Sequence, residues 1–235
     1  MTVTDHVSAS TFHLVPLDLY KDIHKGIRAE LFAVTGAAGR LDPADRIGRL
    51  DLARHVASVV DLLVTHAEHE DDHAQPTLEI YLPACAARVA TEHAQLEARM
   101  VDLRALADAN VDAGAADLRG RTHALYLELA SFTSTYLAHQ DMEEREIMPA
   151  LDAAIGFEAV LAIHQAIIGS IPPEQMAQSL ALMIPAMNID DRAEMLGAMH
   201  ATAPAEVFAP AWNLVGSVLT TCDYAALADR LGLPV

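Results

Sequence analysis

His66-Ala67-Glu68-His69-Glu70, with Pro76 behind it, and His139-Gln140-Asp141-Met142-Glu143, with Pro149 behind it, can be laid over each other. Both read histidine, three residues, glutamate, five residues, proline. Each is preceded by a helical stretch with one inward-looking histidine, His24 before His66 and His93 before His139. Residues four apart on a helix share a face, with Cβ atoms about 5–6 Å apart. One imidazole and one carboxylate from a single helix can therefore reach one metal ion. Two such hairpins would point four histidines and two glutamates into one interior, which is how carboxylate-bridged di-iron centres are built in helix bundles.

The rest of the chain fits around this repeat. Leu17, Tyr20, Ile23, His24, Ile27 and Leu31 recur at helical steps after Pro16, and Gly36-Ala37-Ala38-Gly39 reads as a stop. A second helix is expected from Asp42-Pro43, with Asp42 as N-cap, until Pro76 kinks or ends it. A third follows Pro83 to about Ala109, and a fourth runs from about Ala115 to Ile147 and stops at Pro149. Four long helices with short links predict an all-α fold, an antiparallel up-down-up-down four-helix bundle over residues 14–152. Residues 1–13 read as a loose leader. After Gly156 come shorter apolar patches split by Pro172-Pro173, Pro185 and Pro204, so 157–235 reads as a C-terminal helical extension without chemistry of its own. Phe208 and Trp212, four apart, are expected to form a packing pair there, docked on the bundle or on a second subunit, and a homodimer is compatible with that apolar face.

Alanine and leucine dominate the composition, which favours helix. The formal net charge is −18, so the surface repels nucleic acid and anionic membrane, and neither is expected as a partner. Two distant cysteines, Cys85 and Cys222, fit a reduced cytoplasmic protein, and no apolar stretch is long enough to span a bilayer. Ten of the twelve histidines precede residue 150, which locates the chemistry.

A lone buried histidine is more often a core residue than a ligand, and a lone His-x-x-x-Glu arises by chance on many helices. The doubled pattern, with matched prolines and matched preceding histidines, is much harder to reach by accident. Two ionised carboxylates together in a core would also cost several kcal/mol without a cation. His69 and His73 form a second i,i+4 pair that could replace or supplement His66, although the distance to proline favours His66 with Glu70. The i,i+4 spacing likewise favours Glu143 over Glu144. His55, His123, His164 and His200 read as structural or surface residues.

These residues resemble the hemerythrin family, in its bacterial HHE cation-binding branch, over about residues 14–152. His24 in Ile-His-Lys-Gly-Ile-Arg looks like the first-helix histidine, His66 with Glu70 like the second-helix pair, His93 in Glu-His-Ala-Gln-Leu like the third-helix ligand, and His139 with Glu143 like the fourth-helix pair. The resemblance implies two iron ions, cycling between ferrous and ferric, with an oxo or hydroxo bridge. Oxygen carriers of the family have a fifth histidine one turn after the third-helix ligand; here that position is Glu97. Either Glu97 supplies an oxygen ligand or one iron keeps an extra open position. Tyr20, one turn before His24, either reaches the metal or a bound oxygen species or simply packs at the bundle end.

Imidazole with carboxylate suits iron or manganese, and the ligands alone do not exclude zinc. The exogenous ligand would be dioxygen, peroxide or nitric oxide. Catalase-like peroxide turnover is the favoured reading, because Glu97 would add anionic character that favours the ferric state. The alternative is a carrier or sensor of oxygen, iron or nitric oxide that uses the extension to report. A third reading leaves the metal a purely stabilising role.

Overall fold

The computed structural model describes residues 14–234, and all regular structure among them is helical. The leader, residues 1–13, lies outside the described residues. The helices are α1 (Lys21–Arg40), α2 (Arg46–His73), α3 (Gln75–Tyr81), α4 (Pro83–Val111) and α5 (Leu118–Met142), then a π-helical turn at Glu143–Ile147. After it come α6 (Met148–Ile155), α7 (Phe157–Ser170), α8 (Pro173–Ala186), α9 (Ile189–Thr202), α10 (Ala205–Val218) and α11 (Thr221–Leu231).

Several boundaries differ from the sequence reading, each for a local reason. α1 starts at Lys21 rather than just after Pro16, because the Asp18 carboxylate accepts from the amides of Tyr20 and Lys21. α1 also runs through Gly36-Ala37-Ala38-Gly39 to Arg40. Gly39 there is a contact residue, not a stop: a Cβ on it would lie 3.1 Å from the Tyr126 ring of α5. Asp42 accepts from Ala44 in a turn, and the cap of α2 is Asp45, which accepts from Ile47. Pro76 does end α2, opening α3 instead. Pro149 does not end the fourth long helix. A helix-interior proline crowds the carbonyl four residues back, here Arg145. The wider π turn falls on this stretch, and the helix resumes as α6. Gly156, at φ +77°, then turns the chain by 117° into α7.

The long helices contact in a closed cycle: α1 on α2, α2 on α4, α4 on α5, and α5 on α1. Their common core is filled by Ile27, Leu31, Leu63, Leu96, Leu125 and Phe132, among others. Burying each such side chain contributes about 1.5–3 kcal/mol. A second cluster, around Ile184, Leu196, Trp212, Val215 and Leu227, holds the C-terminal helices together. Phe208 and Trp212 stack in it with ring centroids 6.1 Å apart, as a packing pair. α8 lies on α1, and α7 touches α2. A Cβ on Gly26 would come within 2.8 Å of Leu182, so glycine is what lets α8 approach α1 there. Asp191 pairs with Lys21 and Lys25 beside that contact. No single helix among the described residues is long and apolar enough to cross a membrane.

Candidate metal centre

α1 brings His24, α2 brings His66 and Glu70, α4 brings His93, and α5 brings His139, while Glu143 opens the π turn. All six side chains are buried, His24 completely. The donor atoms of Glu70, His93, His139 and Glu143 lie within 4.8 Å of one another, and so do those of His24, His66 and Glu70. Glu70 belongs to both groups.

The carboxylates are arranged symmetrically. Glu70 turns Oε1 toward His66 Nε2 at 3.1 Å and His24 Nε2 at 3.9 Å, and Oε2 toward His93 Nε2 at 3.4 Å. Glu143 turns Oε1 toward His139 Nε2 at 3.1 Å and His93 Nε2 at 3.8 Å, and Oε2 toward His24 Nε2 at 3.5 Å. Each glutamate therefore offers one oxygen to the His24/His66 pair and the other to the His93/His139 pair. Donors bound at about 2.1 Å to one ion sit roughly 3.0–3.4 Å from their neighbours, which is the scale of these separations. The donor set also fits a cation by what it lacks. Both oxygens of Glu70, Oε2 of Glu143 and Nε2 of His93 are buried without a hydrogen-bond partner. Such groups are costly to bury unsatisfied, and a cation would satisfy them together.

A second set of carboxylates stands behind the imidazoles. His24 Nδ1 meets Glu144 at 3.0 Å, His93 Nδ1 meets Asp71 at 3.0 Å, and His139 Nδ1 meets Glu92 at 2.9 Å. A carboxylate accepts the Nδ1 proton, so in the neutral ring the lone pair stays on Nε2, facing the cluster. Arg28 braces Glu144 at 2.7 Å, and Arg88 braces Glu92 at 2.9 Å. Burial opposes ionisation of Glu144, yet His24 and Arg28 hold its carboxyl at about 2. Burial likewise opposes charge on His93, but the Glu143 and Glu70 carboxylates lift it to about 11. His139 is raised for the same reason. In Glu70, burial is outweighed by His66 and His93, which keep it ionised.

Sequence reasoning missed this outer set. Its one available signal was that an acid follows each glutamate, Asp71 after Glu70 and Glu144 after Glu143. Spacing set Glu144 aside as a ligand, and the structure indeed places it on the far nitrogen of His24. Tyr136 was also missed. Its ring lies 5.8 Å from that of His139, mirroring Tyr20 at 5.3 Å from His24. Burial, then the charges of Glu143 and Glu70, push both phenols well above their usual value.

The model of the hemerythrin HHE cation binding domain matches residues 15–151. The chain belongs to the hemerythrin family. Membership implies iron binding and an oxygen-related function, and the His/Glu cluster fits a metal site. Neither the search of curated proteins nor that of solved structures returned a match. Against the hemerythrin pattern, Glu97 is exposed and joins neither donor group, because the buried stripe of α4 runs from His93 through Leu96 and Met100 and leaves Glu97 at its edge. His69 and His73 also stay outside both groups, which bring His66 together with Glu70.

Proposed function

We propose that this hemerythrin-family chain holds two iron ions, one against His24 and His66 and one against His93 and His139, with Glu70 and Glu143 shared between them. The observation that carries this is the split of each carboxylate, one oxygen to each histidine pair. The scaffold is read as an antiparallel up-down-up-down four-helix bundle over residues 14–152, supported by the closed cycle of contacts among α1, α2, α4 and α5. The partner is a small oxygen ligand, dioxygen or peroxide.

When bound, the iron pair would supply redox chemistry toward that ligand, one electron from each ion. The chain's own residues define where it occurs. Glu144, Asp71 and Glu92 fix the imidazoles of His24, His93 and His139 so that Nε2 faces inward. Burial of all six donors keeps bulk water from competing. Tyr20 and Tyr136 keep their phenol protons at neutral pH and can donate a hydrogen bond toward the centre. With Glu97 facing outward, peroxide turnover no longer draws support from an extra anionic ligand. Its support is the four-histidine count, one short of the oxygen carriers.

Iron-loaded protein should carry two irons per chain and release oxygen from peroxide well above free iron, with Glu70→Gln abolishing both. Two irons without oxygen release would reject turnover. A reversible charge-transfer band under oxygen would then favour the second reading, a sensor or carrier, which the packing of α8 on α1 beside His24 supports. One zinc or no metal would reject the iron pair itself.

A further inference from the structure

The His69-x-x-x-His73 pair, left over by the buried centre, lines a groove of its own. Thr65, Glu68, His69, Asp72 and His73 fall on one stripe of α2 at helical spacing. Ser170 at the end of α7 and Gln175 in the first turn of α8 face them across an open polar groove of about 420 Å³. Both histidines are half-buried, whereas Glu68 and Asp72 are exposed beside them.

His73 is already oriented. Its Nε2 lies 3.1 Å from Ser170 Oγ, and that hydroxyl lies 2.8 Å from the carbonyl of Ile167. A serine has one proton, and it goes to the carbonyl, so Oγ accepts from His73 Nε2–H. The neutral ring then carries its lone pair on Nδ1. A histidine whose second nitrogen donates to a fixed oxygen is the usual arrangement in a metal ligand. His69 sits one turn earlier on the same stripe, within reach of the same ion. The two carboxylates add negative charge and a third donor.

We propose that this groove is a second, solvent-accessible site for a borderline divalent cation of the zinc, copper or nickel class. His69 and His73 are its nitrogen ligands, and Asp72 or Glu68 supplies an oxygen. Two imidazoles and a carboxylate form the donor set such ions favour over magnesium or calcium. The donor atoms are not gathered as closely as those of the buried centre, since among the described residues only the two buried groups bring three or more donors within 4.8 Å of one another. Closing the site needs the side chains of His69, Glu68 and Asp72 to rotate toward His73, which Ser170 already holds. The open side of the groove leaves coordination positions to water.

The test is a zinc titration of the full chain against His69→Gln/His73→Gln, with helix content checked by circular dichroism. Wild type should bind one zinc per chain more than the double variant, and Glu143→Gln, which cripples the buried centre, should keep that extra ion. Cu2+ added to iron-loaded wild type should show nitrogen hyperfine splitting from two imidazoles, absent in the double variant. Asp72→Asn combined with Glu68→Gln should weaken zinc about tenfold. Equal zinc stoichiometry and equal copper spectra in wild type and double variant would overturn the proposal. So would loss of the extra ion in Glu143→Gln, which would place it in the buried centre.

Discussion

Glu144 and Asp71 each act on a histidine that belongs to another helix. Glu144 follows the π turn's first residue and holds His24 of α1, and Asp71 on α2 holds His93 of α4. Removing the charge without changing the shape should loosen the imidazole and leave the fold intact. Glu144→Gln or Asp71→Asn is expected to lower iron affinity about 10–100-fold, read by competition with a chelator of known strength. The imidazoles also predict a pH dependence. His93, held at about 11, carries a proton at neutral pH in the metal-free protein, and the neighbouring carboxylates raise His139 as well. A metal needs the neutral ring, so binding expels the His93 proton and apparent affinity rises with pH. Proton release in weak buffer on metal addition checks this, and an affinity that falls between pH 6 and 8 would contradict it. Four of the six inner residues were legible in the sequence because i,i+4 spacing is a local property, and the lone His24 and His93 were legible only through the repeat that places one histidine on each preceding helix. The outer carboxylates were not, because each partner lies on a different helix. Glu97 misled because spacing alone does not say on which side of His93 the buried stripe continues, and in α4 it continues through Leu96 and Met100.

At the scale of elements, the repeat and the long apolar stripes predicted which stretches are helical, and punctuation residues misled about where they stop. Gly39 reads as a terminator but lies against Tyr126, and Pro149 reads as a stop but is carried by the π turn. In both places the residue answers to a neighbour or to backbone register that a single sequence does not display. Gly26 is the informative case. A methyl there meets Leu182 at 2.8 Å, so Gly26→Ala should push α8 away from α1. The expected cost is about 1–3 kcal/mol, typical of overpacking, seen in chemical denaturation. Gly26→Ala combined with Leu182→Ala should recover part of that loss. If the double variant is less stable than the sum of the singles, the contact has been misread.

At the scale of the whole molecule, two attachments are expected to respond to different variables. The C-terminal helices are tied to α1 partly through Asp191 with Lys21 and Lys25, which are part-exposed pairs open to screening. Raising ionic strength should therefore speed proteolysis of residues beyond Gly156 while leaving α2 and α4 protected. The buried centre should respond to metal instead. A ligand bound only by the native state, at a thousand times its dissociation constant, adds about 4 kcal/mol, so chelation should lower Tm by roughly 8–16 °C for a chain of this size. An unchanged Tm would mean that the metal and the fold are uncoupled. The crosswise hold of Glu144 on His24 and Asp71 on His93 has a consequence for how the molecule is divisible. Cut between α3 and α4, the chain yields two hairpins, each with a lone histidine whose buttress left with the other half. Neither half is a site, yet each carries what its counterpart lacks, as do the faces of a twofold dimer. Two separately expressed halves should thus find each other faster when metal is supplied, with the ion acting as the clasp between them.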